Sequence, residues 1–133
     1  MAGVRRYEDL FAWQLADQFK REVYRLVTGS RTASLNFRYR DQFLEASDAV
    51  SKDICEGFLR CSPRVFAGFL DYALGSLVEA ERRLRDGLER GYFQEAECEQ
   101  AFRLARRCFT ATLRLKQSQV KYAVEKKNRS RRA

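Results

Sequence analysis

Residues 101–122 read AFRLARRCFTATLRLKQSQVKY, and the fold follows from how that stretch wraps around a helix axis. Successive residues turn by about 100°, so Ala101, Leu104, Ala105, Cys108, Ala111, Thr112 and Leu115 share one broad apolar side, the mark of a helix packed on a core. Arg103, Arg106, Arg107, Arg114 and Lys121 collect on the opposite side, with Thr110 and Gln117 between them, as a basic strip facing solvent. Phe102, Phe109, Leu113 and Val120 form a third line between the two. Apolar residues there cannot all reach the core that takes the first side, so they imply a second partner.

The remainder of the chain supplies three more helices of the same kind. Tyr7 to Val27 repeats Ala12, Leu15, Ala16, Phe19, Val23, Leu26 and Val27 at steps of three and four. Asp9 is the expected N-cap and Gly29 the stop. Trp13 and Tyr24 sit off the centre of this stripe, where large amphipathic rings serve either a core edge or a subunit contact. After a polar connection from Gly29 to Asn36, a second helix over residues 37–60 carries Tyr39, Phe43, Ala46, Val50, Ile54 and Gly57 on one side, bordered by Ser47 and Asp53. Asp53 is a lone carboxylate and reads as structural rather than chemical.

Ser62 followed by Pro63 is the clearest helix start: a hydroxyl cap, then the residue whose missing N–H costs nothing in a first turn. Phe66, Phe69, Leu70, Ala73, Leu77, Ala80, Leu84 and Leu88 carry that helix to about residue 90, and Gly91 ends it. Gly68 and Gly75 lie on its reverse side, where the absent side chain either lets another helix approach closely or simply leaves a weak spot. A corner at residues 92–94 leads into Glu95, Glu97 and Glu99, acids suited to the positive end of a helix dipole. The fold class is therefore all-α, an antiparallel up-down-up-down four-helix bundle over residues 1–122 with helices near 8–28, 37–60, 63–90 and 95–122. Residues 123–133 offer almost nothing to bury and are expected to fray into a disordered basic tail.

Charge is distributed unevenly. The formal net charge is +8, yet from Arg103 onward eleven Lys and Arg face one acid, Glu125, a local +10, while the first 102 residues total −2. The basicity belongs to the last helix and to Lys126, Lys127, Arg129, Arg131 and Arg132, the asymmetry of a polyanion-binding surface on a neutral body. A solvated, solubilising face is the plain alternative.

Enzymatic chemistry fits poorly. There is no histidine for general-base work, no Gly-rich phosphate loop, and the Glu-x-x-His pairs of di-iron bundles cannot occur. Cys55, Cys61, Cys98 and Cys108 form no CxxC pair and read as reduced, mostly packed thiols, so no metal, cofactor or catalytic residue is expected. No signal-like run and no apolar stretch of membrane-spanning length occurs, from which a cytoplasmic protein without membrane contact is expected.

The run Asp53, Ile54, Cys55, Glu56, Gly57, Arg60, Ser62, Phe66, Phe69, Leu70, then Ala73 to Glu79, resembles the four helix bundle proteins encoded in intervening sequences of bacterial large-subunit ribosomal RNA genes. So does the opening Tyr7 to Leu15 with Val23 and Tyr24, and the similarity covers about residues 7–122. The resemblance implies a ring-shaped homo-oligomer, a pentamer, with Phe102, Phe109, Leu113, Val120, Gly68 and Gly75 between subunits, to which the subunit-contact reading of Trp13 adds a further residue. A related group serves as accessory subunits of reverse transcriptases in diversity-generating retroelements, binding RNA and the polymerase. Three positions depart from the family pattern: Asp53 stands where Asn is usual, Glu45 where Arg is common, and Val65 where an acid is usual. The reading is a non-enzymatic accessory protein that binds RNA or DNA through the basic strip and tail, with weak sequence preference and multiplied by symmetry. The rival is an interaction scaffold whose basic strip docks an acidic partner protein.

Overall fold

In a computed structural model, which describes residues 3–132, every regular element is helical. A 3-10 turn at Tyr7–Asp9 precedes α1 (Phe11–Gly29), α2 (Arg31–Leu35), α3 (Phe37–Leu59), α4 (Pro63–Glu89) and α5 (Glu95–Arg132). α3 packs on α4, α4 on α5, α5 on α1 and α1 on α3, so the four long helices enclose one core. The α1 stripe predicted from spacing is buried at every position. Phe19, Phe43, Ile54, Leu70, Leu77 and Leu84, fully buried, supply its bulk.

Specific contacts fix the register. Tyr39, early in α3, donates its hydroxyl to the Arg83 carbonyl late in α4 at 2.6 Å. Gly57, late in α3, lies against Phe66 and Phe69 early in α4. Contacts thus advance along α3 as they retreat along α4. α4 and α5 behave likewise: the Arg85 guanidinium stands 5.0 Å from the Phe102 ring centroid, while Asp71 pairs with Lys116 at 2.6 Å.

The ends are set by local chemistry. Ser62 caps α4 by accepting from the Val65 N–H at 3.4 Å, with Pro63 at the first turn. At its other end Gly91 takes φ +77, and the N–H groups of Gly91 and Tyr92 donate to the carbonyls of Leu88 and Gly87. This paired closure needs a residue tolerant of the left-handed region. Glu97 accepts from the Gln94 N–H at 2.9 Å and so caps α5.

Several expectations are corrected. Asp9 is not the cap of the first helix; it closes the 3-10 turn, and α1 starts at Phe11 behind Leu10, which is buried and offers no side-chain cap. The connection from Gly29 to Asn36 contains the short helix α2, because Ser30 accepts from the Ala33 N–H and Asn36 from the Tyr39 N–H, capping two helices in succession. Phe93, within the expected corner, is buried with Tyr39 and Phe43 in an aromatic cluster.

The basic tail is helix rather than disordered chain: α5 continues without interruption to Arg132. No Gly or Pro follows Gly91 to stop it, and Arg129, Arg131 and Arg132 suit the negative end of the helix dipole. At 1.5 Å per residue, the 38 residues of α5 span roughly 57 Å against roughly 40 Å for the 27 of α4. The last turns therefore project past the bundle, with every residue from Val124 to Arg132 exposed.

Close helix approach within the chain occurs at Gly57 and Gly87, not at Gly68 and Gly75. A Cβ on Gly57 would stand 2.6 Å from Phe69 Cβ, and one on Gly87 would strike the Tyr39 hydroxyl and lie 2.6 Å from Phe93, whereas Gly68 and Gly75 meet open space. Gly87→Ala should therefore destabilise the fold by about 1–3 kcal/mol through overpacking, while Gly75→Ala should be neutral or gain up to about 1 kcal/mol from helix propensity. Denaturant unfolding of both variants checks this, and a Gly87→Ala protein as stable as Gly75→Ala contradicts it.

The thiols differ in environment. Cys61 is exposed, Cys55 half-buried, and Cys98 and Cys108 fully buried. Burial raises the Cys98 thiol and pushes that of Cys108 up to about 11. A thiol reagent at neutral pH should label Cys61 first, Cys55 more slowly, and Cys98 and Cys108 only with unfolding; rapid labelling of all four in the folded protein would contradict the packing.

Candidate nucleic-acid interface

Burying Ala101, Leu104, Ala105, Cys108 and Thr112 fixes the rotation of α5. Arg103, Arg106, Arg107, Arg114 and Lys121 are in consequence all exposed, as the spacing predicts. Lys126, Lys127, Arg129, Arg131 and Arg132 are exposed on the projecting turns. By the 100° rule these five point around the axis rather than along one strip, and the Arg129 guanidinium lies 5.9 Å from the Tyr122 ring.

Among the described residues, none of these ten basic side chains makes an ion pair. Of the eighteen acids, nine pair with other cations. On α1, Asp17 pairs with Arg21 at 2.9 Å and Glu22 with Arg25. On α4, Glu79 pairs with Arg82 and Arg83, Glu81 with Arg85, and Asp86 with Arg90. Lys116, which lies outside the basic strip, is the α5 cation that does find a carboxylate, at Asp71.

Three of the strip residues converge on a groove that the sequence reading did not identify. Arg106, Arg107 and Arg114 line a cavity of about 550 Å³ together with Leu10, Phe11, Ala12, Thr110, Ala111 and Leu115. No acidic residue lines it. The Arg107 guanidinium stands 5.8 Å from the Phe11 ring centroid, within cation–π range. Arg103 and Lys121 share the helix but lie outside the groove. The available signal was Phe11 itself, a large aromatic beside the buried stripe instead of in it.

The third line on α5 divides. Phe102 is half-buried against the core beneath Arg85, so it does reach the bundle it was expected to miss. Phe109 and Val120 are exposed at 38% and 45%, and Leu113 is half-buried. Trp13 packs at the core edge, its ring 5.2 Å from that of Tyr7 in an edge-on arrangement. Gly75 lines a second groove, about 590 Å³, between α3 and α4, with exposed Tyr72 beside it.

At the family departures, Glu45 lines that second groove and Val65 is exposed. Asp53 is half-buried, and burial, then the neighbouring Glu56, pushes its carboxyl above the usual range. Among the described residues, no group of three or more Cys, Asp or Glu side chains is placed to hold a metal ion, and no helix is long and apolar enough to cross a membrane.

A family model described as 23S rRNA-intervening sequence protein matches residues 8–126. That span holds all four long helices up to the first projecting turn of α5 and includes both grooves. Comparison with curated proteins gives no match. With most of its length matched, the chain belongs to the family of 23S rRNA-intervening sequence proteins.

Proposed function

We propose that the chain is a non-enzymatic accessory protein that binds nucleic acid through α5, as an up-down-up-down bundle assembled with further copies into a ring. One observation carries the reading: among the described residues, the ten exposed cations of the strip and tail make no ion pair, although the chain holds eighteen acids. An unpaired array of this kind attracts phosphate through counterion release and reads little sequence. The family description, which ties its members to 23S rRNA, agrees with RNA as the polyanion.

Assembly has its own support. The apolar residues Phe109 and Val120 on α5 and the groove beside Gly75 between α3 and α4 are different surfaces of one chain. Docking one onto the other is a heterologous contact, the kind that closes into rings. A ring repeats the basic strip and raises its effective concentration along a long polyanion.

Binding of a structured RNA, followed by fluorescence anisotropy, should weaken at least about a hundredfold between about 50 and about 200 mM salt. Arg107→Glu with Arg114→Glu should remove most of it, and truncation after residue 122 reports the share held by the projecting turns. Salt-insensitive or undetectable binding removes the reading. An acidic protein would suit the same cations, and a partner that co-purifies after nuclease treatment would favour that alternative.

Light scattering tests assembly independently. A multiple of 15.6 kDa is expected, falling toward the monomer in Gly75→Leu with helix content unchanged; a monomeric wild-type protein would rule out the ring.

A further inference from the structure

The groove between α1 and α5 carries a feature that phosphate binding leaves unused. Phe11 is 57% exposed at the first turn of α1, beside an apolar floor that includes Leu10 and Ala12 and below a rim of Arg106, Arg107 and Arg114. A groove meant only for phosphates needs no exposed phenyl ring. One meant only for an apolar protein surface gains nothing from three cations without acidic neighbours, since each must be desolvated on docking. The two chemistries together match a ligand that is planar and apolar on its face and anionic at its edge.

We propose that this groove takes an unpaired base of single-stranded RNA, stacked on Phe11, while Arg106 and Arg114 hold the phosphates flanking it. The inference rests on the nucleic-acid reading above and narrows it to unpaired RNA. In a duplex the base faces are covered by their neighbours and only the backbone is offered. An unpaired base presents a π-face, which aromatic side chains stack upon without regard to sequence. The cavity of about 550 Å³ lies inside the range of roughly 300–1,000 Å³ typical of small-molecule pockets. The Arg107 guanidinium lies over the phenyl ring at 5.8 Å, so a base entering the groove meets a π-face and a cation together. The ring sits at the first turn of α1 and the cations on α5, and both helices are anchored in the core, so the groove is framed by rigid backbone.

The test compares an unstructured, fluorescein-labelled RNA oligonucleotide with an RNA duplex of the same length at one salt concentration. Phe11→Ala should weaken single-strand binding at least about fivefold, the loss typical of one stacked base, and change duplex binding less than about twofold. Phe11→Trp should keep or strengthen single-strand binding, and Arg106→Glu with Arg114→Glu should weaken both. Because Phe11 is exposed, thermal unfolding of Phe11→Ala should stay close to wild type. If Phe11→Ala leaves the single strand unaffected, or weakens strand and duplex alike, the stacking site is wrong while the loss caused by the arginine changes still upholds phosphate binding. A wild-type protein that binds neither RNA overturns both.

Discussion

The angular setting of α5 governs the rest of the molecule. Leu104, Ala105, Cys108 and Thr112 are buried, and a rigid helix cannot turn some of its residues inward without turning others out. Packing thereby places Arg103, Arg107 and Arg114 in water, and the same setting brings Cys108 Sγ to 3.8 Å from the Ala12 carbonyl, beside the mouth of the arginine groove. Core burial is the cause here and charge display its consequence. A substitution that rotated α5 by one residue would disturb both together.

Electrostatic segregation completes the arrangement. Pairs one turn apart on α1 and α4, such as Asp17 with Arg21 and Asp86 with Arg90, neutralise those helices locally. Exposed pairs of this kind stabilise little. Their larger effect is to balance those acids against cations of their own helix. α5 places three of its four acids in the first turns, at Glu95, Glu97 and Glu99, and its cations further along, with Glu125 among them. The long helix is thus polarised from end to end.

Much of this was legible in the sequence, because helical periodicity is a local signal. The α1 stripe, the Ser62–Pro63 start and the Gly91 stop follow from residue spacing and cap chemistry, which depend on near neighbours alone. What escaped reading depends on pairs distant in the chain. The Arg106–Phe11 groove joins residues about 95 positions apart, and the nearest atom that reserves Gly87 for glycine is the hydroxyl of Tyr39, about 48 positions away. Gly68 and Gly75 looked equally well suited to close approach because periodicity identifies a face without saying what stands opposite it. The fate of the last turns escaped for another reason. A polar composition gives no burial to hold a helix, but continuity with a packed helix spares those turns the cost of nucleation.

The projecting end of α5 differs in kind from the strip below it. Along the bundle, cations occupy one side of the helix because the other side is buried. Past the bundle nothing is buried, and Lys126, Lys127, Arg129 and Arg131 are distributed around the axis. Such a rod has no preferred azimuth: a polyanion can lie along any flank, and two strands can lie along opposite flanks at once. The strip is one-sided and the rod many-sided, so for the nucleic-acid binding proposed above a single continuous helix would supply both a surface that orients a strand and a terminus that can join two.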